Sequence, residues 1–576
     1  MVRMLATIML TLALIEAITG CRRSVVPEHH LRMGKGGKAY GGIYRINMLR
    51  GSPSALDPVR VSSKLADDIC LQIFDRLVTF DSLLGVQGEL AVGWDIRPDG
   101  KEYVFHLRTD VRFHDDRCFR NGIGRLLTAH DMVYSLTRAC DPTQKTLSFW
   151  AFQDRVAGAT RYHREREQGR NSRPPEGIVA RDDSTLVITL EQPFAPFLLT
   201  LASGFGCAVP REAVEFYGEE FFRHPVGSGP FVFQEWKEDQ QITLVRNPDY
   251  WQHDNVGNQL PFLDAVQIEF IKDDNVQFAS FKQGLLEESF TIPTEVFPLL
   301  VDASTGMLRD RSARFTIQRR PALCTWFVDC LCTQAPFSDR RVRRALSMSI
   351  DRHRLVRFVL QGQPYAAASH GITPPVLREY LIDSIRGLGF DPDQARAELA
   401  QAGFPNGRGF PDVTFTIYSE PRLKQTAEAL QQMWREHLGI TVKIRVLQFA
   451  QFLQEAEAGR LQLWGTRWYG DYPDAETFLG LFNGAGVPTD PHGASYPNSS
   501  RFNDRNITQL LMDAVNEPSM EKRHVLYRRA ESLIAQESPA LLLFYEMHYR
   551  LMQPYVRDTP LDPMARVVLK HTWFDS

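Results

Sequence analysis

Residues 423–446 constrain the fold more than any other stretch, because a helical pattern there leads through one glycine into a strand pattern. Apolar residues first recur at the spacing of a single helix face: Leu423, Ala427, Leu430, Trp434 and Leu438. Gly439 follows, at the position of a helix C-cap glycine. The next apolar residues alternate with polar ones: Ile440, Val442, Ile444 and Val446. A helix that leads directly into a strand is the unit of α/β proteins, so we predict an α/β fold.

The rest of the chain continues this alternation between short strands and helices. Strands are expected at 103–107, 185–190, 242–245, 266–270 and 540–545, where β-branched and aromatic residues cluster. Helices are expected at 342–348 with Ser338 as N-cap, at 352–360 with Asp351 as N-cap, and at 520–536. At roughly 150 residues per domain, 576 residues predict two to four structural units. The net charge of −3 gives no electrostatic case for nucleic acid as a partner.

The first 21 residues have the pattern of an export signal. Arg3 precedes an apolar run from Leu5 to Ile18, which is too short to span a bilayer comfortably but is typical of a signal peptide. Small residues then precede Cys21, and this resembles a bacterial lipobox. We therefore predict a signal peptide at 1–20, lipidation of Cys21 and a polar tether at 21–39. An ordinary signal peptide that contains a cysteine is the alternative.

The sequence contains no recognised frame for catalysis. It has no Gly-x-x-x-x-Gly-Lys-Ser/Thr loop, no His-Glu-x-x-His and no Gly-x-Ser-x-Gly. The glycines of 226–230 predict a structural turn in which Gly227 and Gly229 permit a special backbone geometry. Seven cysteines follow Cys21, and Cys330-x-Cys332 lacks further zinc ligands nearby, so we expect free thiols and neither a metal nor another cofactor. The absence of these motifs favours a protein that is not an enzyme.

Several phrases, in one order along the chain, resemble a single known family. They are Leu-Asp-Pro at 56–58, Phe-His-Leu-Arg at 105–108, Leu-Thr-Ala-His-Asp at 127–131, His-Pro-Val-Gly-Ser-Gly-Pro-Phe at 224–231, Arg-Asn-Pro-Asp-Tyr-Trp at 246–251 and Trp-Tyr-Gly-Asp-Tyr-Pro-Asp at 468–474. Each phrase alone is weak evidence, but the ordered set is specific. Together they resemble the family 5 extracellular solute-binding proteins, which are the oligopeptide and dipeptide receptors of ABC importers.

The resemblance implies a two-lobed, hinged fold of the type II periplasmic-binding-protein kind, with an extra subdomain in the first lobe. The implied boundaries are 40–310 plus 546–576 for the first lobe, with the subdomain at about 76–195, and 311–545 for the second lobe. The implied function is capture of a peptide between the lobes by a lipid-anchored protein of the periplasm or cell surface. The expected partners are the ABC permease and its ATPase subunits, and the receptor is expected to be a monomer.

Asp471 is the first candidate for a ligand-binding residue. In peptide-binding members of the family, the aspartate of this segment pairs with the α-amino group of the ligand. A closed, water-poor cleft strengthens such a charge-assisted hydrogen bond. The alternative is an aspartate that only supports the turn before Tyr472. Trp468 is expected to line the same pocket as an apolar wall, although a tryptophan in this setting is also typical of a core.

Three more aromatic residues are candidates through the resemblance. Phe449 stands where relatives place an aromatic residue in the second lobe. Phe149 and Trp150 lie at about the distance along the chain where relatives contribute an aromatic residue from the first lobe. Each of them would offer an apolar surface to the side chains of a peptide.

Strand-like pairing with the ligand backbone is a further property that the resemblance implies. The first-lobe edge would come from 61–64, which makes Ser62 and Lys64 candidates, and the second-lobe edge would come from 465–467. Arg467 departs from the small residue that is common in relatives. Its guanidinium either reaches a carboxylate of the ligand or points into solvent.

Other functions stay open at this stage, because a fold does not fix its ligand. The same fold could bind a nickel chelate, haem, an opine or an oligosaccharide. An exported hydrolase and a sensory protein without a transport role are further alternatives.

Overall fold

The structure is a computed structural model that describes residues 31–47, 52–61, 63–303, 305–310, 312–491 and 493–575. The predicted signal peptide, the predicted lipidation site Cys21 and the candidate Ser62 lie outside these ranges. Across the ranges just given, no helix combines the length and the apolar character that a bilayer crossing requires.

The strands are given in chain order. They are β1 (Arg32–Met33), β2 (Ala39–Tyr40), β3 (Ile43–Asn47), β4 (Val78–Phe80), β5 (Val86–Gly88), β6 (Ala91–Ile96), β7 (Glu102–Leu107), β8 (Ile178–Asp182), β9 (Thr185–Thr189), β10 (Phe231–Lys237), β11 (Gln241–Arg246), β12 (Ala265–Glu269), β13 (Glu288–Ser289), β14 (Thr316–Cys330), β15 (Ala366–Ala367), β16 (Val413–Tyr418), β17 (Val442–Leu447), β18 (Leu463–Tyr469), β19 (Ala540–Met552), β20 (Val556–Arg557) and β21 (Trp573–Phe574).

The α-helices alternate with these strands. They are α1 (Lys64–Ile73), α2 (Ala129–Cys140), α3 (Ala159–Glu167), α4 (Phe197–Ala202), α5 (Arg211–Tyr217), α6 (Asp274–Lys282), α7 (Phe297–Leu300), α8 (Arg340–Met348), α9 (Arg352–Arg354), α10 (Pro392–Gln401), α11 (Pro421–Leu438), α12 (Phe449–Glu457), α13 (Glu476–Leu479), α14 (Arg505–Asn516) and α15 (Met520–Glu537). Together with the strands they confirm the predicted α/β construction.

Three larger sheets organise the molecule. A seven-stranded sheet has the order β13-β19-β14-β18-β16-β17, with β15 on β19, and it mixes parallel and antiparallel pairs. A four-stranded sheet has the order β10-β11-β12-β3 and includes the parallel pair β12 and β3. A second four-stranded sheet, β6-β7-β9-β8, is antiparallel and lies within the region expected for the extra subdomain.

Hydrophobic cores divide the described chain into two bodies. One core takes residues between Tyr44 and Phe270 and again between Met552 and Phe574, and we call this body the first lobe. Two other cores take residues of the segment 322–544 and cover opposite faces of the seven-stranded sheet. Helices α8, α10 and α11 pack on one face, while α13, α14 and α15 pack on the other. We call this body the second lobe.

Most predicted elements are confirmed, and the differences have local causes. Gly439 ends α11 with φ 70°, as the C-cap pattern predicted. The N-cap of α8 is Asp339 and not Ser338, because the Asp339 carboxylate accepts the Arg341 N–H at 2.8 Å. Asp351 does cap its helix, but α9 is short and continues as a π-helix over Leu355–Val359.

Two segments differ from the elements expected in them. The described part of the expected tether forms the hairpin β1–β2, and the Lys35 N–H donates to Asn258 Oδ1 at 2.7 Å. Of the predicted first-lobe strand at 61–64, the structure describes residues 61, 63 and 64, and these three are not part of a ladder. Lys64 instead begins α1, because Ser63 caps this helix by accepting the Ala66 N–H at 3.2 Å.

The turn at 226–230 is structural, as predicted, but for a different reason. Its glycines do not adopt a positive φ. A Cβ on Gly227 would lie 2.0 Å from the Ile73 carbonyl oxygen, so the turn needs glycine for close approach to the end of α1. The Ser228 hydroxyl donates to the buried Asp75 carboxylate at 3.0 Å. This hydrogen bond engages the Ser228 side chain within the first lobe.

The segments that link the lobes meet around one fully buried ion pair. Arg550 Nη1 on β19 lies 3.4 Å from Glu288 Oε2 on β13. Arg550 also donates to Gln318 Oε1 at 2.5 Å and to the Thr559 carbonyl. The Tyr44 hydroxyl donates to Glu288 Oε2 at 2.7 Å. The pair therefore joins β3, β13, β14, β19 and the C-terminal segment where the chain passes between the lobes.

Replacement of Glu288 by alanine is expected to destabilise the whole protein. It leaves the buried Arg550 guanidinium without its counter-charge, and loss of one partner of a buried pair costs about 3–5 kcal/mol. Urea denaturation followed by tryptophan fluorescence measures the change. The matched control is Asp412→Ala, which removes one partner of an exposed pair with Lys443 and is expected to leave the midpoint unchanged. Equal midpoints for both variants would contradict this role of the pair.

Candidate functional site

Strand β18 carries two of the predicted site residues and leads directly to a third. Arg467 and Trp468 lie near its end, Gly470 follows, and Asp471 comes next. The Gly470 N–H donates to the Leu323 carbonyl at 2.9 Å. A Cβ on Gly470 would lie 2.6 Å from Leu323 Cδ2, so glycine allows the chain to turn tightly after β18. The strand and this turn thus fix the position of Asp471.

Among the described residues, the Asp471 carboxylate has one hydroxyl as its hydrogen-bond partner and no cation. Thr477 Oγ1 donates to Asp471 Oδ2 at 3.4 Å and accepts the Asp471 N–H at 3.2 Å. No ion pair within the described residues involves Asp471. Desolvation by surrounding protein raises the pKa of the Asp471 carboxyl to about 6, and nearby Glu476 adds to the effect, although the residue is reached by solvent. An acceptor of this kind favours an ammonium group as its partner.

The two lobes touch at this residue. Ser203 Oγ of the first lobe donates to the Asp471 carbonyl oxygen at 2.9 Å. The neighbouring Tyr472 is buried and belongs to the first-lobe core, although the chain around it belongs to the second lobe. The Ala195 N–H also donates to the Val515 carbonyl at 3.0 Å across the lobes. The structure therefore has its lobes together, with Asp471 at their contact.

One edge of β18 is free beside this contact. Strand β14 pairs with β18 along its whole length, from Leu463 to Tyr469. Strand β16 pairs with it only at Leu463 and Trp464. In the part of the chain that the structure describes, the edge at 465–469 has no strand partner on that side. Its N–H and C=O groups can pair with an added extended segment, as the predicted second-lobe edge requires.

Aromatic residues from both lobes lie near Asp471. The Trp468 indole N–H donates to Thr477 Oγ1 at 3.4 Å, and its ring lies 6.2 Å from that of Tyr496. Trp150 is 39% exposed and meets Phe205 edge to face at 5.1 Å, two residues after Ser203. The structure thus brings Trp468 and Trp150 towards the lobe contact.

Two other predicted aromatic residues have different surroundings. Phe149 stacks on His163 at 3.7 Å within the first lobe, and no described contact links it to Asp471. Phe449 begins α12 and is 55% exposed. Its ring packs edge to face on Tyr418 at 5.1 Å, at the end of β16, which diverges from the free edge of β18.

Arg467 does not extend into bulk solvent. Its side chain is partly buried, and its guanidinium carbon lies 4.7 Å from the centroid of the Trp326 ring and 5.3 Å from that of the Tyr469 ring. Lys64 is paired within the first lobe, with Asp68 at 2.5 Å and with the Ala565 carbonyl at 2.8 Å.

Several residues around Asp471 and Arg467 were not predicted from the sequence. They are Ser203, Thr477, Tyr496, Trp326, Arg422 and Glu546. Thr477 is the easiest to anticipate, because it is six residues after Asp471 and on the first turn of the next helix. Ser203 and Glu546 come from distant parts of the chain, and no local pattern connects them with Asp471.

Other parts of the described chain are weaker candidates for the site. A cavity of about 250 Å³ lies in the first lobe, between α1 and the C-terminal segment. Four of its charged groups are paired with each other, Arg566 with Asp562 at 2.7 Å and Lys570 with Glu89 at 2.8 Å. Among the described residues no cluster of three or more metal-ligand side chains occurs. The seven cysteines after Cys21 are free thiols, as predicted.

Comparison with known proteins agrees with this geometry. Residues 85–489, most of the chain, match the model of the bacterial extracellular solute-binding proteins, family 5. The chain belongs to this family. Members of the family bind solutes and are not enzymes, so the protein is a binding protein of the periplasmic type. The resemblance predicted from the sequence is therefore confirmed.

Relatives in the family are named for different ligands. The chain is 28% identical to the probable deoxycholate-binding periplasmic protein YgiS of Escherichia coli K12, with 90% of this chain and 91% of that protein covered. It is 26% identical to the dipeptide-binding protein of the same strain, with 90% and 92% covered. The peptide-bound structure of DppA from Helicobacter pylori matches with a TM-score of 0.77 at 22% identity, over 93% of this chain and 99% of that one. The type II periplasmic-binding-protein fold is thus confirmed.

Asp471 is expected to titrate near pH 6, well above an ordinary aspartate. Carbon-13 NMR of the side-chain carboxyl, assigned by Asp471→Asn, measures this pKa directly. Since the raised pKa disfavours the charged form in the folded state, stability falls as pH rises from about 4 through 6. Asp471→Asn should therefore raise the thermal-unfolding midpoint at pH 8 and change it little at pH 4. A carboxyl that titrates at or below pH 4 would refute this environment.

Proposed function

We propose that this protein captures short peptides between its lobes and delivers them to the permease and ATPase subunits of an ABC importer. The observation that carries the proposal is the Asp471 carboxylate, which lies at the lobe contact with a raised pKa and without a cationic partner in the described chain. The free α-amino group of a peptide supplies that cation. The resulting charge-assisted hydrogen bond holds the amino terminus of the ligand where the lobes close.

The free edge of β18 supports a peptide over a compact solute. Residues 465–469 offer unpaired backbone groups that lead towards Asp471. An extended peptide that pairs with this edge gains affinity through the hydrogen bonds of its own backbone. The selectivity for particular side chains is therefore expected to be weak. Trp468 and Trp150 then provide apolar walls on either side.

A ligand without an amine fits this site less well. A bile acid or another carboxylate would bring a second negative charge towards Asp471 and would supply no cation for its carboxylate. The relative named for deoxycholate makes such a ligand the alternative outcome of the binding experiment. The relative named for dipeptides agrees with the proposal.

We further propose the organisation and location that the sequence predicts. The lobes comprise 40–310 with 546–576 and 311–545, and the protein works as a monomer. The hydrophobic run at 5–18 and the small residues before Cys21 support export, cleavage and lipidation at Cys21. A lipid anchor would keep the receptor close to its permease.

Short peptides with a free amino terminus are expected to bind, and Asp471→Asn is expected to weaken their binding strongly. Loss of one partner of a buried, hydrogen-bonded charge pair costs about 2–5 kcal/mol, which is at least about 30-fold in Kd. Isothermal titration of the mature domain with an alanine tripeptide and its N-acetylated form measures the effect. N-acetylation should weaken binding to the wild type as much as the substitution does.

The control for this experiment is Asp412→Asn, which removes an exposed carboxylate of the second lobe and should bind the tripeptide like the wild type. Native mass spectrometry of the purified protein shows which ligand it carries from the cell. If a bile acid is bound and no peptide gives a heat of binding, the proposed ligand is a bile acid and not a peptide. The fold assignment does not change.

Cys21→Ser is expected to release the protein from the membrane. The wild type, expressed in a bacterium with its own signal, should fractionate with membranes and carry a lipid mass on the residue at position 21. The variant should appear in the periplasmic or culture fraction with an unmodified mass. Membrane association of the variant at the wild-type level would argue against a lipid anchor at this cysteine.

A further inference from the structure

The hairpin β1–β2 is the described part of the expected tether, and it lies against the first lobe. Arg32 and Tyr40 are partners across the hairpin. Tyr40 packs on Phe262, with the ring centroids 5.0 Å apart, and its hydroxyl donates to the Gln259 carbonyl at 2.9 Å. These contacts fix the Tyr40 ring on the surface of the first lobe. The hairpin therefore has a defined place directly after the residues that would link it to a lipid on Cys21.

Arg246, at the end of β11, lies over the same ring. Its guanidinium carbon is 4.7 Å from the centroid of the Tyr40 ring. Its Nε is buried without a hydrogen-bond partner, and within the described ranges the side chain forms no ion pair. The residue as a whole is partly exposed. A guanidinium in this position is costly, because burial removes water and no acceptor replaces it. Arg246 thus has unused donors for an anion.

The segment 246–251 uses other polar side chains to hold the fold together. The Tyr250 hydroxyl and the Trp251 indole N–H donate to the buried Asp75 carboxylate at 2.9 and 3.1 Å. The Asn247 amide donates to a backbone carbonyl at 3.0 Å. In contrast, Arg246 has no such role among the described residues.

A second guanidinium lies close to the first. Desolvation lowers the pKa of the Arg246 guanidinium, and the nearby charge of Arg32 adds to this effect, while the Asp264 carboxylate opposes it. The Arg32 side chain is 68% exposed, and its Nη2 lies 3.4 Å from Asp264 Oδ1. The same carboxylate accepts the Gly42 N–H at 3.2 Å. One exposed carboxylate is therefore shared, and positive charge remains between the two guanidinium groups.

Other charged groups around the hairpin do not neutralise Arg246. Lys38 Nζ lies 2.9 Å from the Asp558 carboxylate and 3.5 Å from the Asp254 carboxylate, so these two acids are engaged with Lys38. Lys35 Nζ donates to a backbone carbonyl at 3.3 Å and adds a further cation to the hairpin. The missing counter-charge of Arg246 thus has to come from outside the described chain.

The distance from Cys21 brings this pair of arginines near a membrane. Arg32 is eleven residues after Cys21, which is at most about 40 Å along an extended chain. A lipid on Cys21 would keep the two guanidinium groups within that distance of the bilayer. Arg22 and Arg23 follow the cysteine directly and favour a negatively charged surface at this end of the protein. Phosphate oxygens match the donors of a guanidinium group.

We propose that Arg32 and Arg246 form a binding site for a phosphate group, and that a phosphate headgroup of the anchoring membrane fills it. The Tyr40 ring holds Arg246 in place, and the exposed Arg32 covers the site from the hairpin. The membrane source rests on the proposed lipid anchor, whereas the phosphate site itself does not. Occupancy would place the hairpin against the bilayer, so that the tethered receptor takes one preferred orientation.

Nitrogen-15 NMR of the arginine-labelled mature chain tests the phosphate site directly. Arg246→Met assigns the Nε–H signal of Arg246 by its loss. Inorganic phosphate should shift this signal saturably, whereas chloride at the same ionic strength should not. Arg32→Met should weaken the affinity for phosphate at least about fivefold, because one charge-assisted contact is lost.

Vesicle sedimentation tests whether a lipid headgroup is the source of the phosphate. The mature chain with Cys21→Ser carries no lipid on that residue, so its partition onto vesicles of equal parts phosphatidylcholine and phosphatidylglycerol reports the protein surface alone. In this background, Arg246→Met and Arg32→Met should each lower the partition coefficient about fivefold, which is the loss expected for one arginine near an anionic surface.

The matched control is Arg357→Met in the second lobe. It also removes a guanidinium that lies over an aromatic ring, 5.4 Å from the centroid of Phe358. This variant should bind phosphate and vesicles like the wild type. Thermal unfolding verifies that all variants are folded, and Arg246→Met should not lower the midpoint, because no acid loses its partner.

The possible failures are distinct. If phosphate does not move the Arg246 signal, the site is refuted, whatever the state of Cys21. If phosphate binds but both arginine variants partition like the wild type, the site takes free phosphate and the membrane source is refuted. If Cys21 carries no lipid, the proposed anchor and the membrane source fail together, and the NMR titration still decides the phosphate site. Peptide capture is independent of all three results.

Discussion

The arrangement of the protein depends on the buried contact between Arg550 and Glu288. The two residues sit where the connecting segments pass between the lobes, and both are fully buried. Tyr44 donates a hydrogen bond to Glu288 and Gln318 accepts one from Arg550, so four strands and the C-terminal segment are joined at this point. A charge pair of this kind is directional, whereas hydrophobic contact is not. It therefore sets the relation of the two lobes more narrowly than apolar packing does, and lobe movement must turn around it.

Near the lobe contact, in contrast to the Arg550–Glu288 pair, charged side chains lack a partner of opposite charge among the described residues. Asp471 has a hydroxyl partner and a raised pKa, and Arg467 has aromatic neighbours alone. Elsewhere in the same region ionised groups are paired, as Arg422 is with Glu546. Groups left without partners lower stability and are typical of sites that a ligand completes. Among the described residues, Arg467 lies within the free edge at 465–469, and Asp471 lies just beyond the end of that edge.

Local sequence patterns predicted the local structure well and the site only in part. The apolar spacing of 423–438 and the glycine after it specified a helix and its end, because both are properties of neighbouring residues. The turn at Gly227 was predicted, but its cause, contact with the Ile73 carbonyl, involves a residue 154 positions away. Asp471 was found through the resemblance. The Ser203 contact to it and the isolation of Arg467 depend on tertiary packing, which no single segment encodes.

The burial of Tyr472 stabilises the arrangement in which the two lobes are together. Tyr472 follows Asp471 in the second-lobe chain, yet its side chain is buried with the first-lobe core. Separation of the lobes would return an aromatic side chain of about 150–250 Å² to water, at a cost of about 4–6 kcal/mol. Burial of Tyr472 with the first lobe therefore favours the arrangement in which the two lobes are together. Separation of the lobes and exposure of this one ring are therefore linked.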